Sequence, residues 1–342
     1  MSTTKLDEQR LIAWLAREVA DFSGPMTVER FAGGQSNPTY RLHTPSRDYV
    51  LRKKPPGKLL KGAHAIEREA QVMSALGATG FPVPKIYCIC EDETVIGTSF
   101  FVMELVVGRI FWDATFPDVS NKERPAYFSA MNDAMVHLHQ IDYKTLGLSD
   151  FGRQGGYLAR QIALWTRQYL ADEAAGRDPK MDQLIEWLPH NIPPGNRTTI
   201  VHGDFRCDNM IFHPSEPRIL AVLDWELSTL GDPLIDFAYH AMMYRMPPDI
   251  VAGLGAADLP ILNIPCEDDY VADYCRHTGV AEIKNWSYYI AFNLFRLAAI
   301  FHGIKGRVIC GNASSEEAQA RVENLPRLID LAYNAMQASR KT

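Results

Sequence analysis

The chain has 342 residues, of which 46% are hydrophobic and 22% are charged, and its formal net charge is −6. This composition is typical of a folded globular protein, and the acidic balance argues against nucleic acid as its main partner. Its six scattered cysteines, its polar N-terminus and its interrupted apolar stretches give no sign of a zinc site, a secretory signal or a membrane span, so we expect a cytoplasmic protein with reduced thiols and no membrane partner.

The N-terminal third alternates helical and strand-like patterns. Residues 5–22 have the apolar spacing of a helix, and three strand-like runs follow at 27–31, 39–43 and 49–52. The loop between the first two strands contains two glycines, Ser36 and Asn37. Glycines let a backbone approach phosphate closely, and the two polar side chains can form hydrogen bonds. Taken alone, however, this loop is more often an ordinary hairpin turn.

The third strand ends in the basic residues Arg52, Lys53 and Lys54. Arg52 and Lys54 lie on the same strand face by the two-residue period, so the pattern does not choose between them as an anion ligand. The simpler alternative is a solvated strand end. A helix over 65–76, a rigid extended connector over 81–86 and a strand over 100–106 are predicted next.

The middle of the chain is predicted to be helical over 125–141, 157–171 and 181–188. The first of these helices contains His137 and His139. Side chains two positions apart point in different directions on a helix, so these two histidines cannot bind one metal ion together. We interpret both as structural.

The most informative segment runs from residue 199 to residue 236. Two strand-like runs, at 199–201 and 219–223, are each followed by an aspartate where the apolar run stops. Asp204 follows the first run and Asp224 follows the second. His202, Gly203 and Asp204, with Asn209 five residues after the aspartate, reproduce the spacing of the phosphoryl-transfer motif His-Arg-Asp-x-x-x-x-Asn. Each residue alone could be a turn residue, but together and in this order they predict phosphoryl-transfer chemistry.

Helices are predicted to follow Asp236. Between Lys284 and Arg307 the sequence contains basic residues and no acidic residue, and Arg296 lies in a run that is apolar all round. Such a helix is buried, and a buried arginine must meet an anion. We expect this anion to be Asp236 rather than substrate. We interpret the excess of basic residues between Lys284 and Arg307 as favouring an acidic or phosphate-bearing acceptor.

The combined pattern resembles the aminoglycoside phosphotransferase and choline kinase group of small-molecule kinases. The motifs that carry the resemblance are His-Gly-Asp-x-x-x-x-Asn, then Leu223-Asp224-Trp225-Glu226, then Gly231-Asp232-Pro233 and Asp236. Segments 36–40, 51–57 and 295–298 are similar to the kinase domain fused to acyl-CoA dehydrogenases. The resemblance covers nearly the whole chain. It implies an α+β, bilobal protein-kinase-like fold, with an antiparallel sheet in a small N-terminal lobe (1–106) and a larger, mainly helical C-terminal lobe (107–342).

The resemblance also implies roles for individual residues. Asp204 would orient and deprotonate the acceptor hydroxyl, Asn209 and Asp224 would hold Mg²⁺, and His202 and Asp236 would brace the loop. Arg52, where the group usually has lysine, would engage the phosphates of ATP with Glu69 as its partner and Glu67 as the alternative. The remaining nucleotide contacts would come from Ser36 and Asn37 in the covering loop, from the backbone of Glu104 and Val106, and from Met103 in the pocket wall.

The sequence therefore predicts an ATP-dependent, Mg²⁺-requiring phosphotransferase that acts on a hydroxyl of a small molecule. The resemblance suggests a hydroxy acid or a hydroxyacyl-CoA as the acceptor, with an aminoglycoside as the alternative. Arginine in place of lysine at position 52 keeps open a nucleotide-binding pseudokinase, and a scaffold protein without nucleotide is the third alternative. ATP or GTP and the oligomeric state stay open.

Overall fold

The computed structural model describes residues 6–31, 37–55, 65–195, 197–311 and 316–341. Contacts between residues divide the chain into two compact units. The first comprises Met1–Arg109, Lys144–Leu148 and Met210–Ser228, and the second comprises Ile110–Tyr143, Ser149–Asn209 and Thr229–Thr342. Residues 210–228, which the sequence assigns to the C-terminal lobe, are thus grouped with the first unit.

Across the described residues, the strands are β1 (Thr27–Arg30), β2 (Thr39–His43), β3 (Asp48–Lys53), β4 (Ile86–Cys90), β5 (Phe100–Glu104), β6 (Thr199–Val201), β7 (Met210–Phe212), β8 (Ile219–Val222) and β9 (Thr229–Gly231). The α-helices are α1 (Glu8–Glu18), α2 (Ile66–Gly77), α3 (Arg124–Gln140), α4 (Tyr157–Ala171), α5 (Pro179–His190), α6 (Pro233–Ala241), α7 (Leu259–Leu262), α8 (Glu267–Thr278), α9 (Trp286–Ile309) and α10 (Glu316–Ser339).

The first unit is built on a five-stranded sheet with the order β1-β2-β3-β5-β4, in which the neighbouring strands are antiparallel. Helix α1 begins at its N-cap Asp7, whose side chain accepts a hydrogen bond from the backbone N–H of Arg10 (3.1 Å). The apolar stripe of α1, with Leu11 and Leu15, packs in one core with Leu51 of β3 and its neighbours on the sheet. Helix α2 packs against β4 and β5.

The hairpin of β7 and β8 belongs to the first unit because its backbone is bonded there. Phe212 forms a β-bridge with Arg109, and the Val222 N–H donates to the Pro82 carbonyl (2.9 Å). A Cβ atom at Gly108 would lie 2.2 Å from the Phe212 carbonyl oxygen, so only glycine fits at this crossing.

The second unit is mainly helical and is organised around α9. Nearly every side chain of this helix from Tyr288 to Ile304 is buried, and it packs against α4, α6 and α10. The burial agrees with its apolar sequence on all sides. The short strands β6 and β9 pair antiparallel in the same unit. Within the described residues, no helix combines the length and the hydropathy needed to cross a membrane.

Candidate active site

The catalytic-loop motif follows β6 in the second unit, and Asp236 of α6 holds its first turn. The backbone N–H of His202 donates to Asp236 Oδ2 (2.7 Å), and that of Gly203 donates to Asp236 Oδ1 (2.8 Å). Gly203 has a φ of +85°, a left-handed conformation that glycine adopts without strain. The prediction that Asp236 braces this loop is confirmed.

Asp236 is buried and has a third partner, His139 of α3. His139 Nε2 lies 3.3 Å from Asp236 Oδ2, and His139 Nδ1 lies 2.8 Å from the Tyr274 hydroxyl. Burial alone would raise the pKa of Asp236, but the hydrogen bond from His139 and the backbone N–H of Gly203 outweigh burial and lower it. The buried carboxylate is therefore ionised, and His139 is structural, as the sequence predicted.

Asp204 is held by two hydrogen-bond donors and one ion pair within the second unit. The Tyr239 hydroxyl donates to its Oδ1 (2.5 Å), Arg206 Nε lies 3.3 Å from the same oxygen, and Asn209 Nδ2 donates to its Oδ2 (3.1 Å). Burial opposes ionisation of Asp204, but the charge of Arg206 and the bond from Tyr239 lower its pKa. The result is an ionised carboxylate in a fixed orientation.

Asn209 completes the loop from a short 3-10 turn. Its Nδ2 also donates to the backbone carbonyl of Asp204 (2.9 Å). Because the amide nitrogen is committed to Asp204, the amide oxygen is the end of the side chain that can bind a ligand. Amide and carboxylate oxygens are suitable ligands for Mg²⁺, so this side chain fits the metal-binding role that the sequence predicts.

Arg296 of α9 also reaches the loop, but not through Asp236. Its Nη2 donates to the Gly203 carbonyl (2.9 Å), and its guanidinium lies over the rings of Tyr239 (5.1 Å) and Trp165 (5.8 Å). Among the described residues no carboxylate lies within 4.0 Å of it, so the expected pair with Asp236 is wrong. The oxygens of Asp236 are instead used by the two loop N–H groups and by His139.

The first unit contains a second charged cluster, centred on Arg52 of β3. Arg52 Nε lies 3.0 Å from Glu69 Oε2, and Nη2 lies 2.9 Å from Asp224 Oδ1 and 3.6 Å from Glu226 Oε2. Glu69 is thus the partner of Arg52. The alternatives that the sequence left open, Lys54 and Glu67, pair with each other at 2.5 Å.

This cluster has more negative than positive charge. Glu69 is 2% exposed, and its burial raises its pKa to about 8, with Arg52 acting against the shift. The two more exposed carboxylates, Asp224 and Glu226, share the one guanidinium, and Asp224 has left-handed backbone angles (φ 63°). A divalent cation near Asp224 would offset the excess negative charge.

No group of three or more acidic, histidine or cysteine side chains suited to a metal occurs among residues that the structure describes. Mg²⁺ is usually held by one or two carboxylates together with substrate phosphates and water, rather than by an all-protein cage.

The other predicted nucleotide residues lie in the first unit. Asn37 is 1% exposed, and its Nδ2 lies 3.4 Å from Glu226 Oε2, whereas Ser36 lies outside the described residues. Met103 is buried in β5. The N–H of Glu104, where β5 ends, already donates to the Lys85 carbonyl (2.9 Å), so an adenine ring would use other backbone groups between Glu104 and Val106.

Comparison with known proteins identifies the family. The characteristic sequence pattern of the phosphotransferase enzyme family matches residues 27–281. The chain belongs to this phosphotransferase family. A Ralstonia eutropha JMP134 protein of known crystal structure, provisionally described as an aminoglycoside phosphotransferase, is 44% identical with a TM-score of 0.90, over 98% of this chain and 99% of that one.

Two curated relatives of the chain are longer proteins. Acyl-CoA dehydrogenase family member 10 of Mus musculus is 45% identical over 91% of this chain, which spans 29% of that protein. Probable acyl-CoA dehydrogenase IBR3 of Arabidopsis thaliana is 42% identical over 92% of the chain, which spans 41% of that protein. The chain thus spans less than half of the length of these relatives.

A more distant structure supports the fold alone. Aminoglycoside phosphotransferase APH(4)-Ia, crystallised with ADP and hygromycin B, is 15% identical with a TM-score of 0.60, over 95% of this chain and 98% of that one. The α+β, protein-kinase-like fold that the sequence predicted is confirmed by these matches.

Sequence reasoning missed three residues that contact predicted site residues. Arg206 is the only basic residue between Asp204 and Asn209, and Glu226 follows Asp224 in the same motif, so both had a local signal. Tyr239 had none, because it lies 35 residues from Asp204 and only the packing of α6 brings its hydroxyl to the carboxylate.

Proposed function

We propose that this phosphotransferase moves the γ-phosphoryl group of ATP to a hydroxyl of a small acyl compound, a hydroxy acid or a hydroxyacyl-CoA. The observation that carries the proposal is the state of Asp204, an ionised, buried carboxylate fixed by Tyr239, Arg206 and Asn209. Phosphoryl transfer depends mainly on alignment and electrostatic stabilisation, and a pre-fixed carboxylate supplies the alignment.

In this mechanism Asp204 accepts a hydrogen bond from the acceptor hydroxyl and orients its oxygen towards the γ-phosphorus. Asp204 takes the hydroxyl proton as the new O–P bond forms and the bond from the γ-phosphorus to the leaving ADP oxygen breaks. Asn209, through its amide oxygen, and Asp224 hold Mg²⁺. The metal supplies positive charge that offsets the charge on the phosphates. Asp236 and Arg296 keep the Gly203 peptide in place, so the position of Asp204 does not relax during transfer.

We assign the nucleotide to residues of the first unit. Arg52, oriented by Glu69, engages the phosphates through a forked guanidinium that suits phosphate oxygens. Ser36 and Asn37 contribute from the loop after β1, and Met103 together with backbone groups of Glu104 and Val106 contacts the adenine.

Two features favour an acyl acceptor over a polycationic aminoglycoside. Arg206 and Arg296 both lie close to the Asp204 segment, and α9 carries no acidic side chain. The curated relatives are named as acyl-CoA dehydrogenases, enzymes of acyl thioesters.

The test is phosphoryl transfer from ATP, followed by mass spectrometry, with parallel panels of hydroxy acids, hydroxyacyl-CoA thioesters and aminoglycosides. We expect phosphorylated product only from acyl compounds and only with Mg²⁺. The provisional description of the Ralstonia protein favours aminoglycosides as a second candidate. Product from the aminoglycoside panel alone would refute our assignment.

A nucleotide-binding protein without catalysis is the remaining alternative, because arginine replaces the usual lysine at position 52. The retention of Asp204, Asn209 and Asp224 argues against it. Single-turnover ATP consumption, measured with and without Mg²⁺ and with Asp204→Asn as the control, separates the two. Equal consumption by the wild type and Asp204→Asn would favour the inactive protein.

A further inference from the structure

The side chain of Arg296 is a buried cation that forms no ion pair among the described residues. It is 6% exposed, in a helix that is apolar on all sides. Its Nη2 donates to the Gly203 carbonyl, and its buried Nε has no hydrogen-bond partner. Within the part of the chain that the structure describes, no carboxylate lies within 4.0 Å of it.

The two aromatic rings near the guanidinium do not remove the need for an anion. The guanidinium lies 5.1 Å from the Tyr239 ring and 5.8 Å from the Trp165 ring. Cation–π contacts recover only a fraction of the free energy that a cation loses on leaving water. A buried, unpaired charge close to a catalytic carboxylate is therefore a reason to look for a ligand.

The position of Arg296 defines where such a ligand would lie. Arg296 bonds the carbonyl of the residue that precedes Asp204, and its ring partner Tyr239 donates to Asp204 itself. A group bound at the unused N–H donors of Arg296 would thus lie beside the hydroxyl that Asp204 orients. Arg206, the second cation near Asp204, is already paired with Asp204 and Asp208, so it is less free to bind another anion.

We propose that Arg296 binds the acyl oxygen of the acceptor, a carboxylate or a thioester carbonyl, next to the hydroxyl that receives the phosphate. The inference rests on the proposed function and deepens it. An acyl oxygen satisfies the guanidinium as an acceptor, whereas an aminoglycoside would bring ammonium groups towards a buried cation. Arg296 thus selects acyl acceptors over amino sugars.

The experiment compares Arg296→Gln and Arg296→Lys with Arg167→Gln. Arg167 is an exposed arginine of α4 and makes no ion pair among the described residues, so its variant matches the charge change of Arg296→Gln away from the loop. Binding to the nucleotide-free proteins is measured by calorimetry for hydroxybutanoate and hydroxybutanoyl-CoA. The matched probes are hydroxybutanamide, which has no charge, and the hydroxybutyl thioether of CoA, which has no carbonyl.

We expect the wild type to bind at least one acyl probe more tightly than its matched probe. Arg296→Gln should lose this preference with about a 10- to 100-fold fall in affinity, Arg296→Lys should lose less, and Arg167→Gln should match the wild type. The probe whose affinity falls in Arg296→Gln shows whether Arg296 binds the carboxylate of the acid or the carbonyl of the thioester. Unchanged affinity in Arg296→Gln, or a wild type that does not separate the probes, would overturn the inference.

Two further measurements keep this result separate from the proposed function. If the wild type binds acyl probes through Arg296 but transfers no phosphate, the proposed function fails and the binding role stands. If it phosphorylates acyl compounds and Arg296→Gln leaves the acceptor KM unchanged, the binding role fails and the function stands. The folding of Arg296→Gln is checked by near-UV circular dichroism. If this variant is misfolded, Arg296→Lys is used in its place. An acceptor affinity of Arg296→Lys equal to that of the wild type would then count against the inference.

Discussion

The side chain of Asn209 is bonded twice to Asp204, from one amide nitrogen to the backbone carbonyl (2.9 Å) and to the carboxylate (3.1 Å). The two residues therefore form one rigid element rather than two separate ligands. The bonds fix which end of the amide faces away from Asp204, and they leave the amide oxygen for a cation. This arrangement connects the group proposed to orient the hydroxyl with the group proposed to hold the metal.

Replacing Asp204 by Asn should lower phosphoryl transfer by about 100- to 10,000-fold, because the amide cannot take the proton. The shape of the side chain is kept, so MgATP should still stabilise the protein in a thermal-shift assay. Steady-state kinetics with the acceptor found in the panel give the rate. Turnover close to that of the wild type would remove Asp204 from its proposed role.

Replacing Arg52 by Met should weaken MgATP binding by about 10- to 100-fold, because charge-assisted hydrogen bonds to phosphate are lost. Arg52→Lys should retain part of the affinity, since lysine keeps the charge but not the fork. Arg41→Met is the matched control, because Arg41 also forms an ion pair, with Asp48 on the neighbouring strand. Equal dissociation constants in calorimetry for Arg52→Met and Arg41→Met would contradict the assignment.

The parts of the fold and site that the sequence predicted are those with a local signal. Strands β1, β2, β3 and β5, the buried α9 and the loop from His202 to Asn209 follow from periodicity and motif spacing, whereas β4 was not predicted. The pairing of Arg52 with Glu69 rather than Glu67 followed from the resemblance.

The errors and omissions concern contacts between residues that are distant in the sequence. Arg296 was expected to meet Asp236, but backbone N–H groups of the loop occupy that carboxylate, and periodicity cannot show that a buried carboxylate already has its partners. Tyr239 was missed because its position on α6 carries no motif.

Replacing Asp236 by Ala should destabilise the protein and impair transfer together. The change leaves the N–H groups of His202 and Gly203 without their acceptor in a buried site, and we expect a loss of roughly 3 kcal/mol in the free energy of unfolding. Urea denaturation gives the stability, and kcat at saturating substrates gives the effect on the loop. Because Arg52 and Asp224 are untouched, MgATP affinity should change less than kcat. A variant with wild-type kcat would show that the loop keeps its geometry without this carboxylate.

His240 should make the stability of the protein fall in mild acid. Its Nδ1 lies 3.1 Å from the Phe205 carbonyl, which can only accept, so Nδ1 carries the proton and Nε2 accepts from the Tyr270 hydroxyl (2.7 Å). Burial lowers the pKa of His240 from 6.5 to about 4. Between these values the unfolded chain binds a proton that the folded protein does not, so the free energy of unfolding decreases as the pH falls through this window.

The loss through His240 amounts to about 3 kcal/mol at most, from a pKa difference of about 2.5. His240→Asn keeps a donor for the Phe205 carbonyl but cannot be protonated. Urea unfolding of both proteins at about pH 7 and about pH 4.5 should therefore show a decrease that is about 2 kcal/mol larger for the wild type. The decrease in the free energy of unfolding between the two pH values is compared, so the pH-independent effect of the substitution cancels. The contribution of the carboxylates, which titrate in both proteins, cancels as well. Parallel decreases in the two proteins would mean that His240 is protonated in the folded state.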